Sequence, residues 1–223
     1  MKRALALRHH VEDHPGLVGE AFAARGYDVD VAMIDESQRA PSLEGYDTLI
    51  ILGSKSAVYD VEHQSAWFRH ELALIAEADA RGLPILGICF GAQALCHFFG
   101  GTVRRADQEE LGWFEIDVRD GVELSRGPWL EFHFDECVLP EGAEVWATTP
   151  RAVQVFVVGP HLAVQFHPEV DDVQLKDWLS ADEDDVRDFG IDVDAFIART
   201  ASETPAARVR AQELVDLFLS RAG

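Results

Sequence analysis

The sequence has few cysteines, three in 223 residues. Their odd number, irregular spacing and lack of a secretion signal argue against a disulfide framework and favour a reducing compartment. No apolar run approaches the ~20 residues that a membrane span needs. The N-terminal segment reaches Arg8, His9 and His10 before the apolar region of a signal peptide could form. We therefore expect a cytoplasmic protein with no membrane segment.

Basic residues are also scarce. Lysine and arginine number 19 against 40 aspartates and glutamates, which gives a formal net charge of −21. Such a charge repels a phosphate backbone, so we expect no nucleic-acid partner. We interpret the acidic excess as a solvated surface that keeps the protein soluble.

The first half of the chain alternates between strand and helix patterns. Residues 3 to 7 and 28 to 34 read as strands on either side of a helix from Gly16 to Arg25. The apolar run from Asp47 to Gly53 is short enough to be a strand buried on both faces. A helical spacing of apolar residues follows between Gln64 and Arg81. This order predicts an α/β fold with a mostly parallel central sheet and flanking helices.

The second half has a different pattern. Four short alternating strands are predicted, at Trp113 to Val118, Glu144 to Ala147, Val153 to Val158 and Leu162 to Gln165. They indicate an antiparallel or mixed sheet. From residue 171 the chain is acidic and helical. We expect one domain over residues 1–223, with residues 171–223 as a helical C-terminal extension.

A short pattern around one cysteine indicates a nucleophile. Gly87-Ile88-Cys89-Phe90-Gly91 joins an apolar strand to a helix, as in a nucleophile elbow, where small flanking residues permit a sharp turn. The start of the helix directs N–H groups toward the sulfur and favours the thiolate. The alternative is that Cys89 is only a small buried residue. Cys96 and Cys137 lack the flanking glycines and are interpreted as core residues.

A second motif supplies what a nucleophilic thiol needs, a base and a group that orients the base. Gln165-Phe166-His167-Pro168-Glu169 follows an apolar strand. The proline stiffens a turn that could bring Glu169 beside the His167 ring. Together the two motifs predict a triad of Cys89, His167 and Glu169.

The two motifs carry a family resemblance. Residues 87–95 and 164–170 resemble the class I glutamine amidotransferases, and the similarity extends over most of the chain. It is closest to a free-standing branch similar to the amidotransferase domain of GMP synthase, including the segment Leu52 to Asp60. The resemblance implies a three-layer, flavodoxin-like α/β fold.

The resemblance also implies residue roles. Cys89 would attack the glutamine carboxamide, His167 would carry the proton, and Glu169 would hold the imidazole. Backbone N–H groups at Phe90 and Gly53 would form the oxyanion hole. Two further residues would contact the substrate, which would be L-glutamine or another γ-glutamyl compound: Gln93 and Ser54. No cofactor is implied.

One departure from the family pattern concerns the oxyanion loop. Many relatives have Gly-Gly-Pro where this sequence has Gly53-Ser54-Lys55. If the second position requires a positive φ, Ser54 would adopt it at a cost of ~1–2 kcal/mol. A differently shaped loop is the alternative.

Two other clusters are given structural interpretations. The histidine-rich segment from His9 to His14 lacks the ligand spacing of a zinc site, so we predict no metal. The aromatic residues of the second half are predicted to form a small core beneath a long loop: Trp113, Phe114, Trp129, Phe132 and Phe134.

Three functions fit these motifs. The first is a glutaminase that passes ammonia to a separate synthase, because the sequence has no phosphate loop or dinucleotide fingerprint of its own. The second is an independent γ-glutamyl peptide or amide hydrolase that uses the same triad. The third, a catalytically dead binding subunit, is disfavoured because all three triad residues are present.

Overall fold

A computed structural model of the chain describes residues 1–34, 41–61 and 65–221, without the side chains of 181–188. Its strands are β1 (Lys2–Arg8), β2 (Tyr27–Met33), β3 (Thr48–Ile51), β4 (Ile85–Ile88), β5 (Thr102–Phe114), β6 (Asp117–Val118), β7 (Trp129–Val138), β8 (Glu144–Thr148), β9 (Val153–Val158) and β10 (His161–Val164). Its helices are α1 (Gly16–Ala24), α2 (Val58–Val61), α3 (Ala66–Ala80), α4 (Phe90–Phe98), α5 (Asp172–Asp188) and α6 (Val193–Arg221).

The central sheet has eight strands in the order β2-β1-β3-β4-β10-β9-β8-β6. The five strands from β2 to β10 are parallel, and β9, β8 and β6 continue the sheet in antiparallel fashion. All residues of β3, β4 and β10 are buried. Their continuous apolar runs therefore pack against helices on both faces. The predicted α/β fold with a mostly parallel sheet is confirmed.

The alternation of side chains along β1 separates the two faces of the sheet. Ala4 and Ala6 belong to a core that includes Phe22 of α1 and several residues of α6. Leu5 and Leu7 face the opposite way, into a core formed with α3 and α4. The result is three layers, helix, sheet and helix. No helix in the described ranges is both long and apolar enough to cross a membrane.

The segment around β5 differs from the sequence prediction. β5 and β7 form a separate two-stranded antiparallel ribbon, with a register irregularity between Arg105 and Glu110. The single strand predicted from Trp113 to Val118 is instead the end of β5 and the whole of β6, which belong to different sheets. β7 was not predicted at all. Its buried face alternates as expected for a strand, but three of the buried residues are Glu131, His133 and Asp135. A hydrophobicity pattern cannot detect a buried face that is polar.

The topology brings three loops together at the carboxyl ends of parallel strands. Gly53 follows β3, Cys89 follows β4, and His167 follows β10. These strands are neighbours in the sheet, so the three residues lie at one edge. Ligands of open α/β sheets bind at this edge.

Two glycines permit the turn at Cys89. A Cβ on Gly91 would lie 2.3 Å from the carbonyl oxygen of Ile51, and one on Gly87 would lie 2.6 Å from that of Gly91. Both contacts involve backbone atoms, which cannot move aside as a flexible side chain can. The elbow therefore requires glycine at both positions.

We predict that Gly91→Ala lowers the free energy of unfolding by ~2 kcal/mol or more, since the added methyl group must displace the β3 backbone. Urea denaturation measures the loss. Gly19→Ala is the comparison, because a methyl group in that part of α1 meets only the Pro15 ring. Equal losses in the two variants would show that the elbow is not tightly packed.

Candidate active site

Cys89 has a strained backbone. Its φ of 51° makes it the one non-glycine residue with a positive φ in the described ranges. Positive φ in a residue with a Cβ costs about 1–2 kcal/mol and is concentrated at functional sites. The Cys89 N–H donates to the carbonyl of Val164 on β10 at 2.8 Å. The bond and the turn together hold the sulfur at the N-terminus of α4.

His167 and Glu169 form a buried pair beside the cysteine. The distance from Nδ1 of His167 to Oε1 of Glu169 is 2.8 Å, and the two residues are 5% and 1% exposed. Burial alone would lower the pKa of His167, but the Glu169 carboxylate and the Cys89 sulfur raise the pKa well above its usual value. The backbone N–H of His167 also donates to the carbonyl of Leu130 on β7 at 2.8 Å. The imidazole is therefore fixed by its side-chain partner and by its backbone.

Two glutamines are connected to Cys89 by hydrogen bonds. Gln165 donates to the Cys89 sulfur at 3.6 Å and accepts from Gln93 at 3.3 Å. Gln93 is buried and borders the cavity. Gln165 belongs to the motif that contains His167, but its contact with the sulfur was not predicted, although its position two residues before His167 could have indicated it.

The loop after β3 covers the Cys89 and His167 pair. A Cβ on Gly53 would lie 3.0 Å from Cε1 of His167 and 3.8 Å from Cβ of Cys89. Ser54 does not have a positive φ, so the cost considered from the sequence does not arise. Ser54 and Gly53 both border the cavity, and Phe90 is the first residue of α4. The N–H of Phe90 lies in the first turn, where helices leave N–H groups unpaired.

The cavity above Cys89 has a volume of about 350 Å³. One part of its wall is aromatic: Phe132, Phe134, Trp178 and Phe189. Another part is charged: Asp13, Lys55, Asp60, Arg105 and Asp135. Of the aromatic residues predicted to form a small core, Trp113 and Phe132 pack against a cluster that includes Leu130, whereas Trp129 belongs to the main core. Phe132 and Phe134 also border the cavity. An apolar half and a charged half suit a ligand with both characters.

A group of three buried residues lies beside the cavity. Nε2 of His133 is 3.2 Å from a carboxylate oxygen of Glu110 and 3.3 Å from one of Glu131. In the described part of the chain these are the only donors close enough together to enclose a metal ion. The other ring nitrogen of His133 bonds the carbonyl of Asp135 at 3.0 Å, so it carries a proton. Burial lowers the pKa of His133, but Glu110 and Glu131 outweigh burial and raise the pKa to about 10. Burial also raises the pKa of Glu131. A His133 imidazolium held beside the two glutamates accounts for the arrangement.

The elbow, the His–Glu pair and the parallel sheet define a class, the α/β proteins in which a cysteine is placed beside a histidine and a carboxylate. The family model described as glutamine amidotransferase class-I matches residues 17–177. The chain belongs to this family.

Curated relatives of the chain are consistent with this family membership. A GMP synthase [glutamine-hydrolyzing] of Bordetella avium is 33% identical over 176 residues, which is 71% of this chain and 29% of the relative. One from Porphyromonas gingivalis is 37% identical over 139 residues, 57% of this chain and 26% of the relative. The chain thus spans less than a third of the length of these curated relatives.

Solved structures share the fold. A glutamine amidotransferase from Thermotoga maritima has a TM-score of 0.88 at 25% identity, covering 97% of both chains. A glutamine amidotransferase from Methylobacillus flagellatus has a TM-score of 0.85 at 18% identity, covering 99% of this chain and 95% of that one, and it supports the fold alone.

We predict a pH effect on stability from His133. Because the folded protein raises its pKa to about 10, the stabilisation is complete below the unfolded pKa of ~6.5 and decreases as the pH rises from there through about 10. In His133→Gln we expect this pH-dependent loss of unfolding free energy to be absent. Urea denaturation at a series of pH values gives the slope of unfolding free energy against pH for wild type and for the variant. The control is His10→Gln, because His10 is half-exposed. Identical slopes in wild type and His133→Gln would contradict the prediction.

Proposed function

We propose that the protein hydrolyses the side-chain amide of L-glutamine through a covalent intermediate on Cys89 and supplies the ammonia to a separate synthase. The observation that carries the proposal is the strained Cys89 at the head of α4, beside the hydrogen-bonded pair of His167 and Glu169. Family membership supports glutamine as the source of the amide.

The first half of the reaction forms a thioester. His167, whose pKa is raised, takes the proton of the Cys89 thiol, and the resulting thiolate attacks the carboxamide carbon. The tetrahedral intermediate collapses when its C–N bond breaks and His167 gives the proton to the leaving ammonia. The backbone N–H of Phe90 and one from the Gly53–Ser54 loop stabilise the oxyanion, an effect worth several kcal/mol where donors are preorganised.

The second half regenerates the thiol. A water molecule gives one proton to His167 and attacks the γ-glutamyl thioester, and the C–S bond then breaks as the sulfur recovers the proton. The product is glutamate. Glu169 keeps the imidazole in one orientation and stabilises the imidazolium of both steps.

The charged part of the cavity wall matches the two ends of an amino acid. Arg105 is the cation that we assign to the α-carboxylate. Asp13 and Asp135 are acceptors for the α-ammonium group, and burial raises the pKa of both carboxyls, so a cation beside them would be favoured. Gln93 and Ser54 complete the polar lining near the sulfur.

The synthase is proposed because the described relatives are GMP synthases of which this chain matches less than a third. No phosphate loop or dinucleotide fingerprint occurs in the sequence, so the step that consumes ammonia needs another catalytic unit.

A second candidate function is supported by the size of the cavity. A volume of about 350 Å³ lies in the range of pockets that bind small molecules. Its aromatic wall would contact an apolar group on the amide nitrogen. The second candidate is therefore hydrolysis of γ-glutamyl amides and peptides with no ammonia acceptor.

We predict that the purified protein releases ammonia and glutamate from L-glutamine and that Cys89→Ala lowers kcat at least ~10³-fold, because the nucleophile is lost. Coupled assays of both products measure the rate. Cys137→Ala is the matched control, a buried cysteine on β7 that should retain activity.

The same assay run with a γ-glutamyl dipeptide separates the two candidates. A larger kcat/KM for the dipeptide than for glutamine would favour the hydrolase. Glutamine turnover that survives Cys89→Ala would contradict both.

We predict that Arg105→Met raises the KM for glutamine by ~10–100-fold and changes kcat little, since a charge-assisted bond to the α-carboxylate is lost. Arg104→Met is the control, because Arg104 pairs with Glu136 and is not part of the cavity wall. Steady-state kinetics over a range of glutamine concentrations gives both constants. An unchanged KM in Arg105→Met would remove Arg105 from the substrate site.

A further inference from the structure

The side chain of His9, which follows β1, is only 5% exposed and contacts two elements of the site. Its Nδ1 lies 2.7 Å from the carbonyl oxygen of Gly53, in the loop over Cys89. Its Nε2 lies 2.7 Å from a carboxylate oxygen of Glu71, a residue of α3 that is fully buried. From the sequence, His9 was only one member of a histidine-rich segment. The structure instead connects it to the oxyanion loop.

The hydrogen bonds of His9 fix its orientation. The Gly53 carbonyl can only accept, so Nδ1 carries a proton, and the Glu71 carboxyl group at Nε2 favours the imidazolium form. Burial lowers the pKa of His9, but the charge and hydrogen bond of Glu71 outweigh burial and raise the pKa above its ordinary value. The ring also packs against Trp67 and Phe90, with ring centroids 5.1 and 5.0 Å away.

The contact with Gly53 determines where the next N–H points. In a trans peptide the C=O and N–H groups point in opposite directions. The Gly53 carbonyl is turned toward His9, which is not among the residues that border the cavity. The N–H of Ser54 is therefore turned the other way, to the cavity side. Within the described ranges this N–H donates to no protein acceptor, so it is available to an oxyanion.

We infer that His9 is a positioning residue, which holds the Gly53–Ser54 peptide so that the Ser54 N–H serves as the loop's oxyanion donor. The inference rests on the proposed glutamine hydrolysis. From the sequence, the N–H of Gly53 was expected to be this donor. The inference assigns the N–H of Ser54 instead. It also explains how the loop works without a second glycine, since a hydrogen bond fixes the peptide that a flexible Gly-Gly pair would leave free.

Two substitutions separate the two hydrogen bonds of His9. In asparagine the amide nitrogen is bonded to Cγ, as Nδ1 is in histidine. His9→Asn can therefore still donate to Gly53, but it cannot reach Glu71. In glutamine the amide nitrogen is two bonds from Cγ, as Nε2 is in histidine. His9→Gln can therefore reach Glu71, but it cannot donate to Gly53. We predict that kcat falls ~10–10²-fold in His9→Gln, remains within ~3-fold of wild type in His9→Asn, and that KM changes little in both. His10→Asn, next to it in the chain but half-exposed, is the control.

A second measurement does not depend on turnover. The γ-aldehyde analogue of glutamine adds to a cysteine thiol to give a tetrahedral hemithioacetal, whose oxygen occupies the oxyanion position. Its affinity should fall in His9→Gln by the same factor as kcat and recover in His9→Asn. The rate at which iodoacetamide alkylates Cys89 should be unchanged in both, because alkylation forms no oxyanion.

The outcomes are distinct. A purely structural role of His9 in neutralising buried Glu71 predicts the opposite order, with His9→Gln better than His9→Asn, and that order would overturn the inference. Equal kcat in the two variants, or a loss confined to KM, would overturn it as well. If wild-type protein neither turns over glutamine nor binds the aldehyde, the proposed function fails instead.

Discussion

The positive φ of Cys89 is the constraint around which the site is arranged. A side chain in this conformation is unfavourable by itself, so the surroundings must enforce it. The enforcement comes from the close approach of Gly91 to the Ile51 carbonyl and from the bond between the Cys89 N–H and Val164. Those contacts join β3, β4 and β10, the strands whose ends carry the other site residues. The same sheet geometry that strains Cys89 thereby places His167 and the Gly53 loop beside it.

Buried pairs of histidine and carboxylate surround the cysteine. His167 with Glu169, His9 with Glu71, and His133 with its two glutamates all lie within the protein interior. Burying charges costs several kcal/mol per ion unless each finds a partner, so such pairs contribute little to net stability. Their value is orientation, because a paired and buried imidazolium cannot turn. One pair holds the proposed base, one holds the loop of the proposed oxyanion hole, and the third supports the cavity wall formed by β7.

The sequence was sufficient to predict the local features and not the distant ones. Cys89 with its glycines, and His167 with Glu169, are close in the chain, and their turn chemistry is visible in a few residues. The parallel sheet followed from the order of apolar runs. The β5–β7 ribbon was missed because Glu131 and His133 form a buried face that is polar. Arg105 and the bond from His9 to Gly53 depend on contacts between residues far apart in the chain, 44 positions in the case of His9. No pattern in a single sequence encodes such a contact.

The central claim is that Cys89 alone of the three cysteines reacts with glutamine. The most direct measurement is covalent labelling with a glutamine-like electrophile, a chloroketone analogue, followed by mass spectrometry of the cysteine peptides. The account predicts one label per chain, located at Cys89, with a labelling rate that falls as L-glutamine is added. Labelling at Cys96 or Cys137, or labelling of Cys89 that glutamine does not slow, would contradict it.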